Sequence, residues 1–273
     1  MSKVGFLGYG NMARAISEGL DRAKVVPFAE QAASGRDRER LARLTAKNKI
    51  YAAADNIDLL RAADVIILGV KPAQTIPLLR ELAGHIRSHL FISMAAGLSL
   101  NELVAALPSS AAAVRTMPNI AALSGRGVTV MCAPPGAPAE RLSLTRRLFQ
   151  AVGLTLELEE KLFDAATAVS GSGPAYFLTI MEALTAGGVR LGLPRETARA
   201  MVMHTALGAA HMALDNPGQT FAALRDLAVS PGGTTAEGLY VMERGAVGGT
   251  LLAAVEAAAA KSAALGIRGK NEN

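Results

Sequence analysis

Through its first 158 residues the chain alternates short apolar runs with longer stretches of helical spacing. Residues 3–7 make a short apolar run that Gly8 and Gly10 interrupt. Over 11–20, Met12, Ala15, Ile16, Gly19 and Leu20 fall on one side of a helix. A second strand is expected near 31–34 and a helix at 38–47. Residues 64–70 form a continuous β-branched run, the mark of a strand buried on both faces. A helix at 77–85, a strand at 90–93, a helix at 100–107 and a strand at 112–115 follow. Two more strands, 127–131 and 154–158, flank a helix at 139–152. Strands alternating with helices predict a parallel, doubly wound sheet.

The pattern changes after about residue 158. Strand signals stop, and 174–191, 194–214, 220–228, 234–244 and 250–265 read as helices. Gly and Pro mark their boundaries, at 192–194, 216–218, 230–233 and 248–249. The expected class is α/β: a Rossmann-like sheet domain over 1–158 and an all-α domain over 159–273. Segments 181–189 and 201–213 are apolar nearly all round, more than a small helical domain can bury alone. A homodimer or larger homo-oligomer through the helical domain is the expected partner state.

The charge balance changes this picture little. The 273 residues carry 28 Lys and Arg against 23 Asp and Glu, a formal charge of +5. The basic residues are scattered, and the densest run, 36–43, interleaves Asp37 and Glu39. With no Trp and 4% aromatics there is little to stack on bases, so nucleic acid is not an expected partner. A 51% hydrophobic, 19% charged chain is not globally disordered. No apolar run reaches the roughly 18–20 residues that span a bilayer, and no leader-like segment opens the chain, so no membrane is expected either. The single cysteine, Cys132, rules out an intrachain disulfide and a thiolate metal cluster, and a cytoplasmic setting is expected. His85, His89, His204 and His211 have no metal-ligand spacing, so no metal is expected. Glu182, inside an apolar helix, is expected to be a satisfied buried carboxylate.

The glycines after the first strand carry the first chemical signal. Gly8-Tyr9-Gly10-Asn11-Met12-Ala13 has the form GxGxxA between a strand and a helix, the setting of the dinucleotide fingerprint. Gly8 allows the tight turn, Gly10 lets a pyrophosphate approach the backbone, and the helix N-terminus offers amide donors. About twenty residues on, where NAD enzymes place an acid for the ribose diol, the chain reads Ala33-Ser34-Gly35-Arg36. A hydroxyl and a guanidinium suit a 2′-phosphate, which makes NADPH the expected cofactor and NADH the alternative. The bland reading is that Arg36 starts a solvated helix, and Glu30 and Asp37 blur the register. Lys71, in Gly69-Val70-Lys71-Pro72, follows a buried strand and sits either near the cofactor or on a solvated loop. Ser93 to Gly97 and Arg115 to Asn119 end two further strands, with small residues that leave room for a flat ring. Ser230-Pro231-Gly232-Gly233-Thr234-Thr235 enters a helix with exposed backbone amides, the makings of a carboxylate or phosphate cradle.

With these motifs assembled, the chain resembles the pyrroline-5-carboxylate reductase family over nearly its whole length. The resemblance rests on GFLGYGNMARAI at the start, GVKP at Gly69, SMAAG at Ser93, RTMPN at Arg115, AVSGSGPAYF at Ala168, GGVRLGLPRETA at Gly187 and SPGGTTAEGL at Ser230. It implies an NAD(P)H-binding N-terminal domain and a helical C-terminal domain that interlocks with a partner's. The implied reaction is hydride transfer to the cyclic iminium carbon of 1-pyrroline-5-carboxylate, a small-molecule substrate, giving L-proline. Carried onto this chain, the resemblance assigns the cofactor to Gly8, Gly10, Asn11, Met12, Ser34, Arg36, Asn56, Val70, Lys71 and Pro72. It assigns the substrate carboxylate to Gly232, Gly233 and Thr234, and makes the Thr235 hydroxyl the catalytic partner of the ring nitrogen. The family commonly reads MPNTP where this chain has Met117-Pro118-Asn119-Ile120-Ala121, so a reductase of a related cyclic imine is one alternative. A β-hydroxyacid dehydrogenase is the other, but its catalytic lysine is missing from 171–188.

Overall fold

The structure, a computed structural model, describes residues 3–271. Its contacts divide the chain into two units, Met1–Ser172 with Ala257–Asn273, and Gly173–Glu256. The first unit carries β1 (Val4–Leu7), α1 (Asn11–Arg22), β2 (Gln31–Ser34), α2 (Arg38–Ala46), β3 (Tyr51–Ala52), α3 (Asn56–Ala62), β4 (Val65–Leu68) and α4 (Pro72–Leu82). Then come β5 (Leu90–Ser93), α5 (Leu100–Ala105), β6 (Ala112–Pro118), β7 (Gly127–Cys132), α6 (Ala139–Gln150), β8 (Gly153–Glu157) and α7 (Phe163–Ala166).

The eight strands form one sheet in the order β3-β2-β1-β4-β5-β6-β7-β8. Side chains of alternate residues feed two cores, one on each face. Val65 and Ile67 join Ile16, Leu20, Leu148 and Phe149 on one side. Ile66 and Leu68 join Leu59, Leu79, Leu82 and Leu103 on the other. This two-sided burial is why 64–70 reads as an unbroken apolar run.

Several elements differ from the sequence reading. Residues 48–63 contain a short edge strand and α3, although no element was expected there. Asp55 caps α3 by accepting from the Asp58 amide at 2.7 Å. Helix α4 starts at Pro72, not at Pro77. Proline is well placed at the first helical position, and Pro77 costs the interior only one backbone donor. The sheet is not wholly parallel, since β6 and β7 pair antiparallel, with Arg115 opposite Cys132. Only residues 119–126 connect them, too few for a crossover helix.

Residues 159–172 also group with the sheet rather than with the helices that follow. Glu160 explains much of this: its Oε1 accepts from Arg115 and from the Leu100 amide, both at 2.6 Å. The Arg115 guanidinium lies 4.6 Å from the Phe163 ring centre. Asn119 adds a second clamp, donating to the Ser170 carbonyl at 2.8 Å while accepting from the Val128 amide at 3.1 Å. Ser170 itself lies in a π-helical turn, Thr167–Gly171.

The second unit holds α8 (Gly173–Arg190), α9 (Arg195–Asp215), α10 (Phe221–Asp226) and α11 (Thr234–Arg244). The last helix, α12 (Val247–Asn271), begins in this unit and ends in the first. Gly248-Gly249 does not break it; the break falls at Ala246, whose φ is +50°. Glu182 is not a buried carboxylate, since it pairs with Arg195 at 2.6 Å with its side chain 64% exposed. No described helix is long and apolar enough to cross a membrane, and no metal-like cluster occurs among the described residues.

Cys132 is 5% exposed, packed with Leu100, Val130 and Phe163. Burial, with the Glu160 charge adding to it, pushes its thiol up to about 12 from 9.0. The folded chain therefore holds this proton longer than the unfolded chain, so the contribution to stability is full below pH 9 and falls as pH rises toward 12. We expect wild type to lose stability relative to Cys132→Ala on going from about pH 8.5 to 10.5 in urea unfolding. Parallel curves over that range would refute the assignment.

Candidate functional site

The turn after β1 is built on close backbone contact. Gly8 has φ +92° and donates its amide to the Ser34 carbonyl at 3.0 Å. Gly69, after β4, donates to the Leu7 carbonyl at 2.9 Å. A Cβ on Gly69 would lie 2.3 Å from the Gly8 carbonyl oxygen. Gly10 differs in kind. It is the N-cap of α1, in extended conformation, and makes no side-chain cap. A Cβ there would meet nothing within 4 Å. Neither packing nor φ demands glycine at this position, so the space beside it is left for something other than the protein. The amides of Asn11, Met12 and Ala13 in the first turn of α1 have no intrahelical acceptor and receive no side-chain cap.

A cleft of about 570 Å³ runs from this turn between α2 and α4. Of the expected cofactor residues, Gly8, Gly10, Arg36, Asn56, Val70 and Lys71 line it. Asn11, Met12, Ser34 and Pro72 do not. Asn11 and Met12 open α1, where their amides count and the Met12 side chain packs on the core. Pro72 opens α4. Ser34 is 1% exposed, and its hydroxyl donates to Asn56 Oδ1 at 2.8 Å. In the free chain this hydrogen bond ties Ser34 to Asn56, which faces the cleft.

The register after β2 is also clear. Glu30 precedes the strand, at the opposite end of β2 from Gly35 and the cleft. Asp37 caps α2, accepting from the Arg40 amide at 2.9 Å, which engages its carboxylate with the helix. Arg40 lines the cleft beside Arg36, and the sequence reading passed over it. Its four-residue spacing from Arg36 was the available signal. Neither guanidinium has an ion-pair partner among the described residues. Two unpaired guanidinium groups at a cleft mouth favour a phosphate over a diol. The residues present thus fit a phosphorylated dinucleotide, with Gly10 left open for it.

The second candidate element lies in the helical unit. Gly232 has φ +66°, and the Gly233 amide donates to the Ser230 carbonyl at 3.0 Å. A Cβ on Gly233 would lie 2.3 Å from Ser230 Oγ. Gly233 is the N-cap of the eleven-residue α11 and makes no side-chain cap. Thr234 and Thr235 are exposed in its first turn, and the Thr235 hydroxyl makes no hydrogen bond among the described residues. Capping therefore does not account for Thr235. Ile120, where the family commonly has Thr, opens a 3₁₀ turn and is 47% exposed.

A family model described as "Pyrroline-5-carboxylate reductase dimerisation" matches residues 160–265. One described as "NADP oxidoreductase coenzyme F420-dependent" matches 3–97. A pyrroline-5-carboxylate reductase of Methanosarcina acetivorans is 36% identical over 97% of this chain and 98% of its own length. That of Pisum sativum is 37% identical over 95% of this chain and 94% of its own. A crystal structure of the Plasmodium falciparum pyrroline carboxylate reductase with NADP bound has a TM-score of 0.88 at 32% identity, covering 97% of this chain and 98% of that one. Sharing more than a third of its residues with such relatives from end to end, the chain belongs to the pyrroline-5-carboxylate reductase family.

Proposed function

We propose that this chain reduces 1-pyrroline-5-carboxylate to L-proline, with NADPH as the reductant. The observation that carries the reading is a pair of helices that start behind glycine N-caps, α1 behind Gly10 and α11 behind Gly233, so that no capping side chain occupies their first-turn amides. One suits a pyrophosphate and the other a small carboxylate. A reaction between a dinucleotide and an anionic imine needs both.

Gly8, Gly10 and the amides of Asn11 and Met12 take the pyrophosphate. Arg36 and Arg40 take the 2′-phosphate, Asn56 faces the adenosine portion with Ser34 behind it, and Val70, Lys71 and Pro72 border the cofactor. NADPH, when bound, supplies a hydride to the iminium carbon. The amides of Gly232 and Thr234 hold the substrate carboxylate, and the Gly233 amide, which donates to the Ser230 carbonyl in the free chain, joins them by sharing that bond. The Thr235 hydroxyl oxygen accepts from the protonated ring nitrogen, which keeps its proton as iminium becomes amine. The protein's part is to bind, orient and exclude water.

The proposed division of labour gives the cofactor to the sheet unit and substrate and association to the helices that follow Ser172, where the sequence pattern puts the boundary at 158/159. A homodimer through the helices is supported by their bareness in one chain: Phe177 is 66% exposed, Leu191 89% and Phe221 82%. A cytoplasmic, reducing compartment suits a single buried thiol. The deciding assay is NADPH oxidation with pyrroline-5-carboxylate, set beside NADP reduction with a 3-hydroxyacid. Turnover only in the second would replace this reading with that of a β-hydroxyacid dehydrogenase.

Three variants test the assignments. Gly10→Ala should leave thermal stability close to wild type, because the added methyl meets no protein atom, while NADPH affinity falls about tenfold or more. Arg36→Ala should narrow the preference for NADPH over NADH by about ten- to a hundredfold, the worth of a hydrogen bond to a charged group. An unchanged ratio of kcat/KM values would make Arg36 a surface residue. Thr235→Ala should lower kcat/KM by about ten- to a thousandfold, roughly 1.4–4 kcal/mol on the rate scale, with NADPH binding unchanged. Thr235→Ser should recover much of that loss. If Thr235→Ala instead unfolds more easily yet turns over normally, the hydroxyl has no part in the reaction.

A further inference from the structure

The phosphate turn Gly8-Tyr9-Gly10 has one side chain, and that side chain is anchored deep in the core. Tyr9 is 7% exposed, and its ring meets Phe6 edge-on with centroids 5.6 Å apart. Its hydroxyl reaches Ser17, two turns along α1, and donates to Ser17 Oγ at 2.8 Å. Ser17 donates to Gln31 Oε1 at 2.5 Å. The Gln31 amide nitrogen donates to the carbonyls of Ser17 and Val26, at 3.1 and 2.8 Å.

The direction of this chain is forced. Both Gln31 amide hydrogens go to carbonyls, so its oxygen must accept. Ser17 has one proton and gives it to that oxygen. Ser17 can then only accept from Tyr9. Ser17 is fully buried and Gln31 is 1% exposed, so bulk water does not replace a missing link. Burial pushes the Tyr9 phenol above its ordinary range, which keeps it a neutral donor.

The turn is also held on its Gly8 side by the Gly69 backbone packed against it, and on its Gly10 side by the Arg14 amide, which donates to the Gly10 carbonyl at 2.9 Å. Its two glycines are the residues with the most backbone freedom to lose. Gly8 is tied through its amide to Ser34, but Gly10 has neither a cap nor packing beside it. We propose that Tyr9 is a positioning residue, whose hydrogen bond to Ser17 holds the Gly8–Gly10 turn in the shape that presents the α1 amides to a pyrophosphate. The ordering of the turn is then completed on folding rather than on binding. This rests on the reading of the cleft as a dinucleotide site.

The test is calorimetric titration of the full-length protein with NADPH, alongside its melting temperature without ligand. Tyr9→Phe keeps the ring and removes only the hydroxyl. Its Kd for NADPH should rise about three- to tenfold, the net worth of one hydrogen bond. Ser17→Ala should do the same, and the double variant should bind no more than about twofold more weakly than either single one, because both cut the same link. Ile16→Val, one residue away in the same core, loses stability without touching the link. Its Kd should stay within about twofold of wild type. Normal binding by Tyr9→Phe, or equal weakening by Ile16→Val, overturns the positioning role while leaving the cleft reading intact. Failure of the wild type to bind NADPH overturns the cleft reading, and this proposal with it.

Discussion

The open end of the sheet depends on how closely the turns after β1 and β4 approach each other. Gly69 donates to Leu7, Gly8 donates to Ser34, and no Cβ fits between Gly8 and Gly69. That contact stitches three neighbouring strands together just past their carboxyl ends. It falls where the strand order turns back, with β2 and β3 on one side of β1 and β4 and β5 on the other. At such a point the flanking crossovers diverge, and the cleft between α2 and α4 is the result. A bulkier residue at either glycine would push the turns apart and remove the floor on which Tyr9, Gly10 and Asn56 are arranged.

Much of this was legible in the sequence because the signals were local. The GxGxxA string, the apolar run at 64–70 and the Gly and Pro boundaries of the helices each state a backbone requirement within a few residues. What was missed depended on partners distant in the chain. Helix α3 is short and polar on its outer side, and it is specified by the Asp55 cap and by Leu59 and Leu60 against the sheet. The antiparallel β6–β7 pair follows from a connection too short to cross over, a constraint of length and not of residue type. The burial of Ser34 could not be seen without Asn56, 22 residues away, and Arg40 was hidden in what read as a solvated helix face. Residues 159–172 looked like the start of the helices, and contacts made by Glu160, Asn119 and Phe163, among others, tie them to the sheet.

The two units differ in how far they satisfy themselves. In the sheet unit, core side chains from both faces reach near-complete burial within one chain. In the helical unit, helices α8 to α11 contribute very few buried side chains. Roughly 25 cal/mol is at stake for each Å² of apolar surface left in water, so helices this bare do not account for their own stability. Residues 160–265, which include these helices, match a family model described as dimerisation, and the bare helix faces agree with that description.

The glycines separate what the fold needs from what the chemistry needs. Gly69 is glycine because neighbouring backbone fills the space where a side chain would stand, and Gly8 adds a positive φ to the same crowding. Such residues would be required even in a protein that bound nothing. Gly10 has an ordinary φ and empty space beside it, so its smallness serves no interaction of the free chain. The loop before α11 divides in the same way. A positive φ explains Gly232, and contact with Ser230 explains Gly233. Neither explains why the helix behind them starts without a cap, or why Thr235 stands exposed with its hydroxyl unengaged. Folding alone would slightly favour a capping side chain, which is worth about a few tenths of a kcal/mol over a glycine N-cap. Two starts behind glycine N-caps, α1 and α11, leave their first-turn amides free of any capping side chain, and it is there that the proposed site puts ligand oxygens.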